Sequence, residues 1–277
     1  MGYRCLSVTR FLKSYQTKTQ YKHIHLPAQH QLSLLEKVQR PAMIDPKTKQ
    51  FIAMRYWLLG RNYHEHADLK MMTDKYTKQF IAMRYWLLGR NYYLALDALE
   101  YAAQLHTGKR KDGATQEYFH QLSIGRYVKS IVTSLEHPEE TLTTVFLHDV
   151  PEDYGIGFEE IEARFGVLVA QAVNLMTKKF RGYRKGDAEY YREIAENKIA
   201  SVTKGADRIH NIQTMIGVFT YDKQKEYIEE TETFIIPALK AARRRFPRQE
   251  PAYENIQHVL ISQIELLRAV HKAQVEA

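Results

Sequence analysis

From Thr77 onward, apolar residues recur at three- and four-residue intervals and almost nowhere alternate singly with polar ones. That period fits one face of a helix, whereas a half-buried strand repeats every second residue. Ala95, Ala98, Leu99 and Ala102 mark one such face, and Gly108 can end its helix. Ile124, Tyr127, Val128, Ile131, Val132 and Leu135 mark the next. Pro138, Glu139 and Glu140 open a third, with Leu142, Val145 and Phe146 inward, because proline fits a first turn and acids favour its positive end. Ile161 and Phe165 give a short helix stopped by Gly166, and Val169, Val173 and Met176 give another. Residues 198–220 carry Ile199, Val202, Ala206 and Ile209 on one face, which puts Asp207 beside the core edge. Two further helices, around 222–246 and 252–273, are divided by Pro247 and Pro251. The predicted fold is all-α, and 277 residues suffice for one large or two small domains.

The N-terminal third is of another kind. The segment TKQFIAMRYWLLGRNY occurs at Thr48 to Tyr63 and again, identically, at Thr77 to Tyr92. The same shift aligns Met43 with Met72 and Asp45 with Asp74. Two copies are too few to stack as a solenoid. They read as a tandem duplication, or a start-assignment artefact, that copied a native beginning. The second copy runs straight into the helical body, so residues 72–277 are expected to form the working domain and residues 1–71 a dispensable basic extension. Through Ile44, Arg4, Arg10, Lys13, Lys18, Lys22, Lys37 and Arg40 face only Glu36, so most of the +8 net charge lies there. The body is nearly balanced, which argues against a nucleic-acid footprint, and neither DNA nor RNA is expected as a partner. The acid-poor residues 1–42 allow a targeting peptide, although disorder or spurious upstream translation fits them better. His64 and His66 would face apart on a helix, so they read as exposed loop residues rather than ligands. No apolar run has the length of a membrane span. The single Cys5 excludes an intramolecular disulfide and fits a reducing, cytoplasmic compartment.

The chemistry-bearing residues are His120, the run His148-Asp149-Val150-Pro151-Glu152-Asp153, and Ala206-Asp207-Arg208-Ile209-His210-Asn211. They offer two imidazoles and two carboxylates to one divalent cation, with two further carboxylates nearby. Mixed nitrogen and oxygen donors suit a borderline first-row metal. If 139–150 is a helix, His148 and Asp149 diverge by about 100° and grip a metal from two sides. Glu152 and Asp153 then lie one turn on, at the separation that brings side chains together. Acids at a helix C-terminus oppose its dipole, which marks them as functional rather than merely solvated. Pro151 is expected to end or kink this helix just after the ligands. A metal-dependent hydrolase is the expected activity.

These blocks, in this order, resemble the HD-superfamily phosphohydrolases, specifically the hydrolase domain of RelA/SpoT-type alarmone enzymes and their small stand-alone relatives. The resemblance spans roughly residues 93–216 and adds Ala103 to Gly113, Tyr118-Phe119-His120, Phe165-Gly166 leading to Met176-Thr177-Lys178, and the extension through Thr214. It implies an HD-domain helical bundle with additional C-terminal helices. His120, His148, Asp149 and Asp207 would hold the metal, usually manganese in this family. Glu152 and Asp153 would orient and deprotonate the attacking water, and Arg110, Lys111, Asn211 and Thr214 would contact the nucleotide. The implied reaction removes the 3′-pyrophosphate from guanosine tetra- or pentaphosphate, making a guanosine polyphosphate the expected partner. Homo-oligomerisation is left open.

The chain also departs from the family. Ser-Gly-Glu-Pro-Tyr usually precedes the first metal histidine and His-Pro follows. Here Asp112 to Gln121 has one extra residue and neither proline, and Gln213 replaces a common arginine. The altered loop keeps two alternatives open: an HD nucleotidase for another phosphorylated nucleotide, and a silent module that binds a nucleotide or a partner. Lys178, Lys179, Arg181, Arg184 and Lys185 form a glycine-containing basic loop that could close over a polyphosphate. Arg243, Arg244 and Arg245 complement a helix dipole. Tyr85-Trp86 and Tyr190-Tyr191 are read as core, and His106 and His210 as packing groups or supports that orient a ligand through the other ring nitrogen.

Overall fold

The computed structural model describes residues 75–276, and the first repeat copy, Cys5 and His64 to His66 lie outside them. The described chain is a helical bundle, as its periodicity predicts. Helix α1 (Lys75–Arg90) is the second repeat copy; it buries Met83 and Leu87 and turns through Asn91, at φ 59°, into α2 (Tyr93–Leu105). A left-handed Asn closes a helix as glycine often does. Arg84 reaches Glu100 at 2.7 Å across that turn. Tyr85 was expected in the core but is 53% exposed, on the side of α1 away from the buried Met83 and Leu87.

Next come α3 (Phe119–Ser130), α4 (Pro138–Leu147) and the short α5 (Val150–Tyr154). Helix α4 is the centre of the fold, packed by α2, α3, α7 (Val167–Met176) and α9 (Lys198–Met215). Every residue from Thr141 to Leu147 is buried. Its threonines are tolerated there because Thr141 and Thr143 donate to the carbonyls of His137 and Glu139, four residues back. Helix α3 approaches α4 closely: a Cβ on Gly125 would meet the Phe146 ring at 2.6 Å. That approach carries His120 to the end of α4.

The helix expected over 139–150 ends earlier, at Leu147, and Pro151 starts α5 instead of closing α4. The proline has no amide hydrogen to give Leu147, but in a first turn that hydrogen would be unused. The break therefore falls on His148 and Asp149 themselves.

Helix α6 (Phe158–Phe165) stops at Gly166, φ 86°, before α7, as expected. The basic loop then forms a hairpin, β1 (Lys179–Phe180) against β2 (Tyr183–Arg184), turning through Arg181 and Gly182, both at positive φ. Helix α8 (Asp187–Ala195) follows, and Asn197 caps α9 by accepting from the amides of Ile199 and Ala200. The helix expected over 222–246 is α10 (Tyr221–Glu230), a π turn over Thr231–Ile235, and α11 (Ile236–Arg245). The wider turn accommodates Pro237, which cannot donate to an α-helical ladder. Arg243 to Arg245 close α11, and α12 (Glu250–Glu276) packs along α9. Among the described residues no helix is long and apolar enough to cross a membrane.

Candidate metal centre

The start of α3, the α4–α5 break and the middle of α9 meet at one point. His120 enters near the start of α3, His148 and Asp149 from the α4–α5 break, and Asp207 from the middle of α9. His120 Nε2 lies 3.2 Å from Asp207 Oδ1 and 3.7 Å from Asp149 Oδ2. His148 Nε2 lies 3.2 Å from Asp149 Oδ2 and 3.8 Å from Asp207 Oδ1. All four predicted ligands thus converge.

The hydrogen-bond pattern fits a cation among them. His148 Nδ1 donates to the Val145 carbonyl at 2.8 Å, which directs its Nε2 at the carboxylates, and that buried atom has no hydrogen-bond partner. His120 Nδ1 lies 2.8 Å from His210 Nδ1. For His120 to ligate through Nε2, its Nδ1 must carry the proton and donate to His210. Burial, with His120 and Arg110 nearby, pushes His210 down to about 3, so it stays neutral and can accept. His210 thus stands where a support that orients His120 through its other ring nitrogen would stand. Burial also lowers His120. Burial opposes the charge on His148, but Asp149 and Asp207 outweigh it and lift it to about 9. Burial likewise opposes ionised Asp207, yet Lys204 and the two histidines hold its carboxyl well below the usual range.

Two partners of the ligands escape a motif reading. Lys204 is part-buried in α9 with its Nζ 3.0 Å from Asp207 Oδ2, leaving Oδ1 toward the histidines. Gln121 donates to Asp149 Oδ2 at 3.3 Å. Lys204 could have been found from its i,i+3 spacing to Asp207 on one helix face.

The expected catalytic pair divides. Asp153, half-exposed, lies 3.9 Å from His106 Nε2. Burial, then Asp149 and Glu117, raise its carboxyl to about 6. His106 is fully buried and donates through Nδ1 to Ala102 O, and burial lowers its pKa. Glu152 turns the other way: its Oε1 accepts from the backbone amides of Lys178 and, at 3.0 Å, Lys179.

Of the expected nucleotide contacts, Arg110 and Lys111 sit in the loop between α2 and α3. There Lys109 bridges Gln116 and Asp112 accepts from the amides of Ala114 and Thr115. That turn passes through Gly113 at φ 69°, and His120 lies on its helix. Lys111 Nζ lies over the Phe219 ring at 5.0 Å. Asn211 donates to Asp207 Oδ1 at 2.7 Å, and Thr214 donates to His210 O at 2.9 Å; the first is engaged with a ligand, the second with its own helix. In the basic hairpin, Lys178 pairs with Asp187 at 2.8 Å and Lys185 with Glu193 at 3.1 Å, whereas Lys179, Arg181 and Arg184 are exposed. Tyr190 and Tyr191 are buried as expected.

The family model described as HD domain matches residues 98–244. The chain is 32% identical over 146 residues to the guanosine-3′,5′-bis(diphosphate) 3′-pyrophosphohydrolase of Aquifex aeolicus, covering 50% of this chain and 20% of that protein. It is 28% identical over 144 residues to the protein of that name from Vibrio cholerae, covering 49% and 20%. Over 138 residues it is 28% identical to the bifunctional (p)ppGpp synthase/hydrolase SpoT of Escherichia coli, covering 47% and 19%. The chain thus spans about a fifth of the length of these curated relatives. A solved structure titled as a metazoan ortholog of SpoT that hydrolyzes ppGpp matches with a TM-score of 0.50 at 20% identity, covering 62% of this chain and 94% of that one. The likeness shows a shared fold.

Proposed function

The chain belongs to the HD-domain family, and on that premise we propose that it is a metal-dependent hydrolase removing the 3′-pyrophosphate from guanosine tetra- or pentaphosphate. The convergence of His120, His148, Asp149 and Asp207 beside the raised carboxyl of Asp153 carries the reading. The names of the curated relatives supply the substrate. We take the cation to be manganese and the setting to be cytoplasmic. When bound, it would supply a Lewis acid and an acidified water.

The protein residues then have distinct tasks. Lys204 and Asn211 hold Asp207 so that Oδ1 faces the histidines. Asp153, poised near neutrality, takes the proton of the attacking water. Arg110 and Lys111 bind substrate phosphates from the loop before α3, and Thr214 receives the nucleotide from the α9 side. Cations there match the charge that builds on phosphoryl oxygens.

The test is purified protein against a panel of phosphorylated nucleotides, with chelator and with added manganese. Guanosine tetraphosphate should release pyrophosphate only when metal is restored. Full turnover in metal-free protein would overturn the mechanism. Turnover confined to another nucleotide would leave an HD nucleotidase, and binding without turnover a silent module.

We also propose that residues 72–277 suffice. A chain starting at Met72 should match the full chain in helicity, metal content and turnover per molecule. Loss of the metal site on truncation would show that the first repeat copy is structural.

A further inference from the structure

The sequence that forms α1 is present twice in this chain. Its stretch from Thr77 to Tyr92 recurs residue for residue from Thr48 to Tyr63. Each side chain by which that stretch holds the body therefore has an identical counterpart at the same spacing. Met83 and Leu87 are buried where α1 packs on α2 and α3, and Met54 and Leu58 match them. Arg84 pairs with Glu100 at 2.7 Å, and the Lys129 ammonium of α3 lies 4.9 Å from the centre of the Trp86 ring. Arg55 and Trp57 are the equivalents. Asn91 and Tyr92 close the helix by donating their amides to the carbonyls of Leu88 and Leu87, and Asn62 and Tyr63 repeat that ending in sequence. The identity stops before Thr77. Tyr76, whose ring meets Phe119 at 4.5 Å, has Lys47 as its counterpart.

We propose that the first copy is a second occupant for the α1 groove of its own chain. When the second copy cannot seat, Thr48 to Tyr63 docks on α2 and α3 in its place, and residues 64–92 loop out between Tyr63 and Tyr93. The loop closes without strain on the body, because Tyr63 then ends where Tyr92 ends now. Closing a loop of roughly thirty residues in place of a direct peptide link disfavours the exchange by a factor on the order of 10². The Tyr76 ring adds to that preference. The intact chain therefore seats the second copy, and a damaged second copy is replaced.

The test is a double-mutant cycle in the full chain, read by urea unfolding. Leu58→Asp alone should leave the unfolding midpoint unchanged, because the second copy holds the groove. Leu87→Asp alone puts a carboxylate at a buried apolar position, yet should weaken the unfolding equilibrium by only about 10²-fold, the cost of the exchange. The double variant has no intact occupant and should lose about a further tenfold or more. Trp57 and Trp86 are the two tryptophans of the chain, so Trp86→Phe leaves Trp57 as sole reporter. Adding Leu87→Asp to Trp86→Phe should shift its emission to shorter wavelength and slow its quenching by iodide. Both readouts are independent of turnover. Equal losses in Leu87→Asp and the double variant would overturn the proposal, and so would an unmoved Trp57 emission. Rescue that grows with protein concentration, with dimers in light scattering, would overturn it in favour of exchange between two chains.

Discussion

Asp149→Ala and Asp207→Ala are expected to abolish divalent-cation binding alike and to differ sharply in stability. Each removes one of two carboxylate donors, and the Lewis-acid contribution of such a cation is worth several kcal/mol, so turnover should fall about 10³-fold or more in both. Asp149 is one-third exposed and makes no capping bond to α5; its loss frees the Gln121 amide and removes one of the two carboxylates facing His148, while Asp207 remains. Asp207 is buried and pairs with the part-buried ammonium of Lys204, and it accepts from Asn211. Removing one partner of such a pair strands the other charge, at a cost of about 3–5 kcal/mol. Urea unfolding of the metal-free proteins should therefore place Asp149→Ala below wild type and Asp207→Ala well below both. Adding Lys204→Met to Asp207→Ala should recover most of the stability and none of the metal binding. Wild-type manganese affinity by titration calorimetry in Asp149→Ala would remove that residue from the ligand set. Affinity also carries a pH signature. His148, held at about 9 in the metal-free site, must lose its proton to ligate, so binding should tighten as pH rises toward 9.

The helices were legible because each buries a stripe that repeats at the helical period, and the cluster of His120, His148, Asp149 and Asp207 because four side chains of the right chemistry sit in short, ordered blocks. What escaped depends on contacts between elements distant in sequence. Nothing in the HDxxED run says that the helix breaks at His148; proline tolerates two helical roles, and packing of α4 chose the start of α5. The hairpin carries no strand alternation, since two residue pairs are too few to show one, and its turn is marked only by Arg181-Gly182. The π turn at Thr231–Ile235 is a response to Pro237. Lys204 was hidden because a lysine in a helix is ordinarily solvated, and its partial burial is tolerated through the pairing with Asp207 and the Tyr190 ring 5.7 Å from its ammonium. Asn211 was placed on the nucleotide by the family resemblance; what the sequence did not show is that its amide reaches the Asp207 carboxylate one turn back.

Asp153→Asn should separate catalysis from binding. The substitution keeps size and hydrogen bonding but removes the base, so manganese and substrate should bind as in wild type while kcat falls about 10²-fold or more. The metal-free protein offers a second reading of the same carboxyl. Burial and the neighbouring Asp149 and Glu117 raise it from 3.8 to about 6. Between those values the folded chain holds a proton that the unfolded chain has released, so this group's contribution to stability declines as pH rises through that window. Above pH 6 Asp153→Asn should accordingly be the more stable protein, and below about pH 4 the difference should vanish. Solvent screening at a carboxyl that is nearly half exposed keeps the gain to about 1 kcal/mol or less. A cation bound beside Asp149 adds positive charge where the raising came from. The acidic limb of kcat in the loaded enzyme should therefore lie below 6, and Asp153→Asn should lack that limb. Retention of kcat within a few-fold in Asp153→Asn would mean that the water is activated without it, and loss of manganese would mean that Asp153 is a ligand instead of a base.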